Sequence, residues 1–378
     1  MKCFLVFVTI LTARSTPILP VRSIAARSSP SEVIDIVIPE GRSQTNCIVS
    51  QMSDLKHCLK TKSIVISNLA VPARETLDLS NLISGTQVMF TGTTTFAHAH
   101  WVGPLVVISG KDIQVSGDGI LDGQGALSWD GKGTNGGYKK ARLLYLKDLH
   151  GASVTGITIR NSPAQVMKVI DSDHLMISGI TIDNTDGDTH GGHNTDGIGI
   201  SNSQYITVSN CIMHTQDDCI AVVSGSNIHV SGIHCTNGHG LAVGSVGGKL
   251  HNSVMNVLFE NSILVNNTNG VRLKTNYNTT GEVANVTFSN IKLEMIAKYG
   301  IDIQQDYLNG GPTNMPSDGV KITNIHMHNI FGNVNKGAYP VNVLCGHDSC
   351  HNLEFSGINI TGGSGSHCNV KIIGFDCR

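Results

Sequence analysis

The sequence predicts an all-β chain wound into a parallel β-helix, a solenoid in one domain. Three observations carry that expectation. First, one phrase keeps returning: a short apolar-alternating strand, a Gly or Asn, then another short strand. It appears as Val154-Thr155-Gly156-Ile157-Thr158-Ile159, Ile177-Ser178-Gly179-Ile180-Thr181-Ile182 and Val208-Ser209-Asn210-Cys211-Ile212-Met213. It returns as Val230-Ser231-Gly232-Ile233-His234-Cys235, Phe288-Ser289-Asn290-Ile291-Lys292-Leu293, Ile322-Thr323-Asn324-Ile325-His326-Met327 and Phe355-Ser356-Gly357-Ile358-Asn359-Ile360. The period is mostly roughly 22 to 34 residues, the size of one solenoid coil. Second, the strands are rich in Val, Ile and Thr, and almost no segment carries a helical period. Third, only 14% of the residues are charged while Gly numbers 42, a composition for short strands and tight corners. Gly or Asn tolerates the left-handed backbone that a repeated corner needs.

The elements follow in chain order. Lys2, an apolar run from Cys3 to Thr12, and Ala13-Arg14-Ser15 read as a secretory signal over residues 1–15. Residues 16–28, with Arg22 and Arg27, form a possible propeptide, and 29–378 the β-helix domain. A short helix between Ser50 and Lys60 is expected to cap the open end of the solenoid. No later segment has an unbroken apolar run of membrane-spanning length. A net charge of −2 gives no global pull toward nucleic acid or a membrane, so an anionic ligand needs local cations. The chain is expected to be secreted and monomeric. Ten cysteines suit an oxidising compartment. Their short spacings suggest Cys47–Cys58, Cys219–Cys235, Cys345–Cys350 and Cys368–Cys377, although spacing does not fix connectivity. Cys211 is left over as an inert, buried thiol. Asn266, Asn278, Asn285 and Asn359 stand in glycan-acceptor triplets.

In a β-helix, residues one coil apart in sequence become neighbours in space, at about 4.8 Å. Asp196 to Asp217 is one coil and Asp217 to His239 another; His239 to Arg272 and Arg272 to Tyr307 are one longer coil each. The column spans about 20 Å on that spacing. Glycoside hydrolysis needs one carboxyl group protonated and a second ionised. Asp196, Asp217 and Asp218 on neighbouring coils supply this asymmetry, because crowded carboxylates resist ionising together. His239, between Gly238 and Gly240, can hydrogen-bond the acid, and the flanking glycines let the backbone approach a ligand. Arg272 and Lys274 project from one strand face and can grip an anionic substrate. Tyr307 can bound the sugar site. Asp217 and Asp218 are adjacent, so the strand must end or twist there for both to serve one cleft.

These motifs, in this order, resemble the polygalacturonases, pectin-degrading members of glycoside hydrolase family 28. The likeness runs from about residue 45 to the C-terminus. It includes Thr93-Thr94-Thr95-Phe96, Trp129-Asp130-Gly131-Lys132-Gly133, Gly191-Gly192-His193-Asn194-Thr195-Asp196 and Gln304-Gln305-Asp306-Tyr307-Leu308-Asn309-Gly310. The compact fungal-type endo-acting enzymes are the nearest likeness. The resemblance implies a right-handed parallel β-helix and inverting hydrolysis without a metal or other cofactor. It makes Asp217 the general acid, Asp196 and Asp218 the pair that activates water, and His239 the support of the acid. Arg272, Lys274, Tyr307, Asn194 and Gln216 become substrate-binding positions, and pectin or polygalacturonate the partner. An inverting pair leaves about 6.5–9.5 Å for the water.

The sequence also departs from that pattern. Gly199 stands where related enzymes carry a further Asp, Thr215 where Asn precedes Gln-Asp-Asp, Leu273 where Ile is usual, and Gly248-Lys249 where they carry Asp-Arg. These changes bear on subsite affinity and cleavage pattern. Three other readings stay open: a β-helix pectate lyase with Ca²⁺ on the acids and Arg272 as base, a catalytically altered pectin-binding homologue, and an exo-acting or other pectin hydrolase.

Overall fold

The structure, a computed structural model, describes residues 46–377. The expected signal and propeptide segments lie outside the described residues. From Cys47 onward, short strands stack in parallel, each on its counterpart one coil later, into a parallel β-helix. The core is a set of aliphatic and aromatic ladders running along the helix axis. One ladder continues through Val154, Ile177, Val208, Val230, Phe259 and Phe288. The Phe259 and Phe288 rings stack at 4.6 Å. Alternation of side chains about each strand produces this: residues two apart face the same way, so every second Val, Ile or Leu enters the core.

The corners are left-handed, as the repeated Gly and Asn require. Gly156, Gly179, Asn210, Gly232, Asn290 and Gly357 all have φ between 53° and 76°. Two repeats differ from the sequence expectation. Phe288 pairs with Met327, so the equivalent corner is Asn329; the phrase centred on Asn324 belongs to the preceding corner, beside Asn285. A further repeat, Phe259-Glu260-Asn261-Ser262-Ile263, escaped the pattern because Asn261 is followed by Ser rather than an apolar residue. Asparagines at successive corners hydrogen-bond side chain to side chain, as in Asn352 to Asn324 at 2.9 Å and Asn324 to Asn285 at 2.9 Å.

A helix, α1 (Met52–Cys58), sits at the N-terminal end of the described residues, as expected. Leu55 and Cys58 face the core, and the Cys47–Cys58 disulfide ties the helix to the first strand. Cys219 is bonded to Cys235, Cys345 to Cys350 and Cys368 to Cys377. Cys211 is buried and unbonded.

One sheet positions the site. Its strands are Met167–Ile170, Ile198–Ser201, Ile220–Val222, Leu241–Val246, Asn269–Asn276 and Tyr299–Tyr307. Met167, Ile198, Ile220, Leu241, Val271 and Ile301 form one inward row of this sheet and are almost completely buried. The neighbouring outward row reads Lys168, Gly199, Ala221, Ala242, Arg272 and Asp302.

Candidate active site

Asp217 and Asp218 lie in a bend between two strands, Ile212–His214 and Ile220–Val222. Leaving the strand is what lets consecutive side chains serve one cleft. The bend is fixed locally: Asp217 Oδ1 accepts from the Asp218 backbone N–H at 2.7 Å, and Thr215 Oγ1 donates to the Asp217 carbonyl at 2.9 Å. The Cys219–Cys235 disulfide anchors the residue that follows. The rung alignment differs by one position from the sequence expectation. Gly197 N–H donates to the Asp218 carbonyl, and Ile198 pairs with Ile220, so Asp196 stacks on Asp218 rather than on Asp217.

The structure brings Asp217, Asp218 and His239 together, with one ligating atom from each lying within 4.8 Å of the others. Such a trio is close enough to hold a cation, and several of its atoms already have protein partners. His239 Nδ1 lies 3.0 Å from Asp217 Oδ1. Asn194 Nδ2 donates to Asp217 Oδ2 at 2.8 Å. Lys274 Nζ is 2.6 Å from Asp218 Oδ2, and both side chains are more than nine-tenths buried. Asp196 Oδ1 and Asp218 Oδ1 are buried without a hydrogen-bond partner.

This crowding separates the acids electrostatically. Burial, then the Asp217 and Asp218 charges, lift the Asp196 pKa well above the carboxylate range. Burial also pushes Asp217 up, but the His239 hydrogen bond and charge, Lys274 and Asn194 outweigh it and hold Asp217 low. His239 is the mirror image: burial lowers its pKa, and the Asp217 bond and charge raise it further. The Asp217–His239 pair therefore favours a carboxylate beside a protonated ring, and Asp196 is pushed toward its neutral form.

The glycines beside His239 serve packing rather than ligand access. A Cβ on Gly238 would meet Cys219 Sγ and Thr215 Oγ1 at 2.7 Å. Gly240 has φ +90°, and its Cβ would meet the Gly270 carbonyl at 2.0 Å.

Arg272 and Lys274 line the same cleft, but both are ion-paired. Arg272 Nε binds Asp302 Oδ2 at 2.8 Å and its Nη2 binds Gln304 Oε1 at 2.5 Å. Asp302, one rung on, escaped the sequence reading because Ile301-Asp302-Ile303 looks like an ordinary alternating strand. Tyr307 pairs with Asn276 rather than Arg272, because the register shifts after Lys274. Its ring centre still lies 5.3 Å from the Arg272 guanidinium carbon and 5.3 Å from Lys274 Nζ. Gln216 does not line the cleft. Its amide accepts from Thr195 Oγ1 and donates to the Asn184 carbonyl and Asp188 Oδ1, each at 2.8 Å, so it braces the turn.

The acids line two pockets. One, of about 260 Å³, contains Asp217, His239, Arg272, Lys274 and Tyr307. The other, of about 370 Å³, contains Asp196, Arg142, Lys168, Gly199 and Lys249. Over the first, Asn309 Nδ2 donates to Asn135 Oδ1 at 3.1 Å, joining two loops 174 residues apart. The Asn135 loop is held by Asp130, which binds Lys140 Nζ at 2.7 Å; that contact and two backbone N–H donors hold its pKa down at about 2.

A cleft along a β-helix with clustered acids and a proton-sharing histidine defines an acid–base hydrolase for an extended polymer. Residues 61–375 match the family described as glycosyl hydrolases family 28. The chain belongs to that family. It is 50% identical over 317 residues to endopolygalacturonase A of Aspergillus niger, covering 83% of this chain and 85% of the relative. It is 45% identical to a polygalacturonase of Penicillium janthinellum, covering 94% and 95%. Among solved structures it is similar to endopolygalacturonase I from Stereum purpureum complexed with two galacturonates. The TM-score is 0.78 at 34% identity, covering 87% of this chain and 99% of that one. As a family member the protein is a glycoside hydrolase, and Arg272, bound to Asp302 and Gln304, is not a free base of the kind a lyase needs.

Proposed function

We propose that the protein is a secreted endo-polygalacturonase that hydrolyses α-1,4 bonds in de-esterified pectin with inversion. One observation carries the mechanism: the Asp217–His239 proton pair lies beside two carboxylates whose Oδ1 atoms are buried and unpartnered. Buried polar atoms are normally bonded, so two adjacent orphans mark where a reacting water is held. The sugar that leaves occupies the pocket with Asp217, Arg272, Lys274 and Tyr307; the sugar under attack occupies the pocket with Asp196. Asp217 protonates the leaving oxygen, with His239 as the reserve of that proton. Asp218, paired to Lys274, takes the proton of the water, and Asp196 orients it. The glycosidic bond to C1 breaks, the water oxygen bonds to C1 from the opposite face, and the protons balance between Asp217 and Asp218. The relatives named as endopolygalacturonases support this substrate and the endo pattern.

The raised pKa of Asp196 favours a second assignment, with Asp196 as the proton donor. An oligogalacturonide with an activated aryl leaving group separates the two. Loss of the acid is tolerated on such a substrate and loss of the base is not. Asp217→Asn is expected to abolish turnover of polygalacturonate and keep much of it on the aryl substrate. The reverse ranking of Asp217→Asn and Asp196→Asn would favour the second assignment. Saturated reducing ends and chelator-insensitive turnover are expected; a parent protein that releases no reducing ends from polygalacturonate would sink the hydrolase reading and leave a pectin-binding homologue.

Secretion accords with the four disulfides, and no helix among the described residues is long and apolar enough to cross a membrane. Glycans are better placed at Asn278 and Asn359 than at Asn266 and Asn285. Asn266 Nδ2 donates to Asn237 at 2.6 Å and Asn285 Nδ2 to Asn256 at 3.0 Å, so both amides belong to the corner ladders.

A further inference from the structure

The pocket that Asp196 lines also gathers three cations, Arg142, Lys168 and Lys249. Among the described residues none of the three forms an ion pair with a carboxylate. Arg142 is held by neutral partners, Gln165 Oε1 at 3.0 Å and the Tyr145 hydroxyl at 3.1 Å. Lys249 reaches only the Ser245 carbonyl and hydroxyl. Lys168 stands 6.0 Å from the Tyr145 ring centre. Asp196 also lines the pocket, and burial with the Asp217 and Asp218 charges raises its pKa well above the carboxylate range, which weakens it as a counter-charge. Burial and then the Arg142 charge lower the proton affinity of Lys168 against a smaller opposing pull from Asp171; burial, then the Lys274 and Lys168 charges, take Lys249 down to about 8. Arg272 and Lys274, across the acids, have carboxylate partners; this trio has none.

The floor between the two cation groups is flat. Along the outward row Lys168 is followed by Gly199, Ala221 and Ala242 before Arg272. Four rungs at about 4.8 Å separate Lys168 from Arg272 by about 19 Å, a span with no side chain longer than a methyl. A Cβ on Gly199 would meet nothing closer than the Met167 carbonyl at 3.9 Å, so the glycine leaves real space in front of Lys168. A pocket of about 370 Å³ is in the range that takes one small ligand unit.

We propose that Arg142, Lys168 and Lys249 form a subsite for a free uronate carboxylate of the chain, on the Asp196 side of the cleavage point. Lys168 above Gly199 makes that subsite prefer an unesterified sugar. The carboxylate supplies the counter-charge that the trio lacks, and a methyl ester there cannot. This assignment rests on the galacturonan reading and deepens it. Lys168 is a specificity residue, acting on binding rather than on proton transfer.

The test compares polygalacturonate with highly methyl-esterified pectin, for the parent, Lys168→Gln, Lys168→Arg and Gly199→Asp. The parent's hydrolysis of polygalacturonate is measured first; its failure sinks the functional reading, and the subsite is then read as the Kd for polygalacturonate against esterified pectin, with equal values overturning it. Losing a charged hydrogen bond to the carboxylate is expected to raise KM for polygalacturonate about tenfold in Lys168→Gln, with kcat nearly unchanged. The preference for the unesterified polymer should fall by a similar factor, and Lys168→Arg should restore it. Gly199→Asp, which has room to fold, places a carboxylate before Lys168 and should act as Lys168→Gln does. An unchanged substrate preference in both Lys168→Gln and Gly199→Asp overturns the proposal, as does a loss in kcat alone.

Discussion

Arg272→Met tests whether the cleft cations are structural partners as well as substrate ligands. Arg272 is almost fully buried and binds Asp302, which is completely buried, at 2.8 Å. Burial lowers the Arg272 pKa, and the Asp302 and Asp218 charges, Tyr307 and the Asp302 hydrogen bond together more than restore it; burial raises the Asp302 pKa despite Arg272 and Asn342. Methionine removes the charge and leaves Asp302 with the Asn342 amide at 2.8 Å as its remaining side-chain partner. Breaking one side of a buried pair costs about 3–5 kcal/mol when the other charge stays. The sign with pH follows from linkage. Asp302 has a folded pKa above its unfolded one, and loss of Arg272 raises it further, so the native state binds more protons than the unfolded chain. Stability from that proton is present at low pH and lost as pH rises. The penalty of Arg272→Met should thus be small near about pH 4 and reach the full amount near about pH 7. Urea unfolding with disulfides intact measures it. Adding Asp302→Asn removes the stranded charge and should recover most of the stability, while KM for polygalacturonate stays raised. A penalty below about 1 kcal/mol at neutral pH, or a double variant no more stable than the single, would refute the argument.

Three further outcomes follow from the geometry. His239 keeps its proton until pH passes its raised pKa, so the alkaline limb of kcat/KM should lie above the ordinary histidine value. His239→Gln should displace that limb and lower kcat by about 10²-fold; a pH profile of reducing-end release that keeps the same limb contradicts the proton pair. Cys211 is buried with its thiol pKa pushed up to about 11, so it should resist thiol reagents in the native protein and react only on unfolding. Asn309→Ala removes the amide bridge to Asn135 across the cleft mouth, a bond worth about 1 kcal/mol. Initial rates on long polymer relative to a short oligomer should rise by up to about fivefold, and an unchanged ratio would show that the bridge does not limit entry.

Much of the fold was legible because a solenoid writes its geometry repeatedly. Gly156, Gly179, Asn210 and Gly232 mark the same left-handed corner on successive coils, and the strands between them alternate visibly. The repeat is blurred where the coil lengthens. There Asn324 mimics the corner at Asn329, and Asn261 hides behind Ser262. The gathering of Asp196, Asp217, Asp218 and His239 was legible for the same reason, since coil length converts sequence spacing into spatial proximity.

Most other pairings inside the cluster were not legible, because they depend on single-residue register and on side-chain reach. The Asp217–His239 pair was expected and is present, but only the folded chain aligns Asp196 with Asp218, and sends Lys274 to Asp218 and Arg272 to Asp302. It also takes Gln216 out of the cleft and reveals Lys168, whose short strand gives no sign that Gly199 leaves open space beside it. By itself the sequence determined the β-helix and the family of residues that meet, since periodic burial of Val, Ile and Leu admits few other arrangements. Tertiary structure alone decided which acid is pushed toward its neutral form and which cations lack an ion-pair partner, because those depend on distances of a few ångströms between coils far apart in the chain.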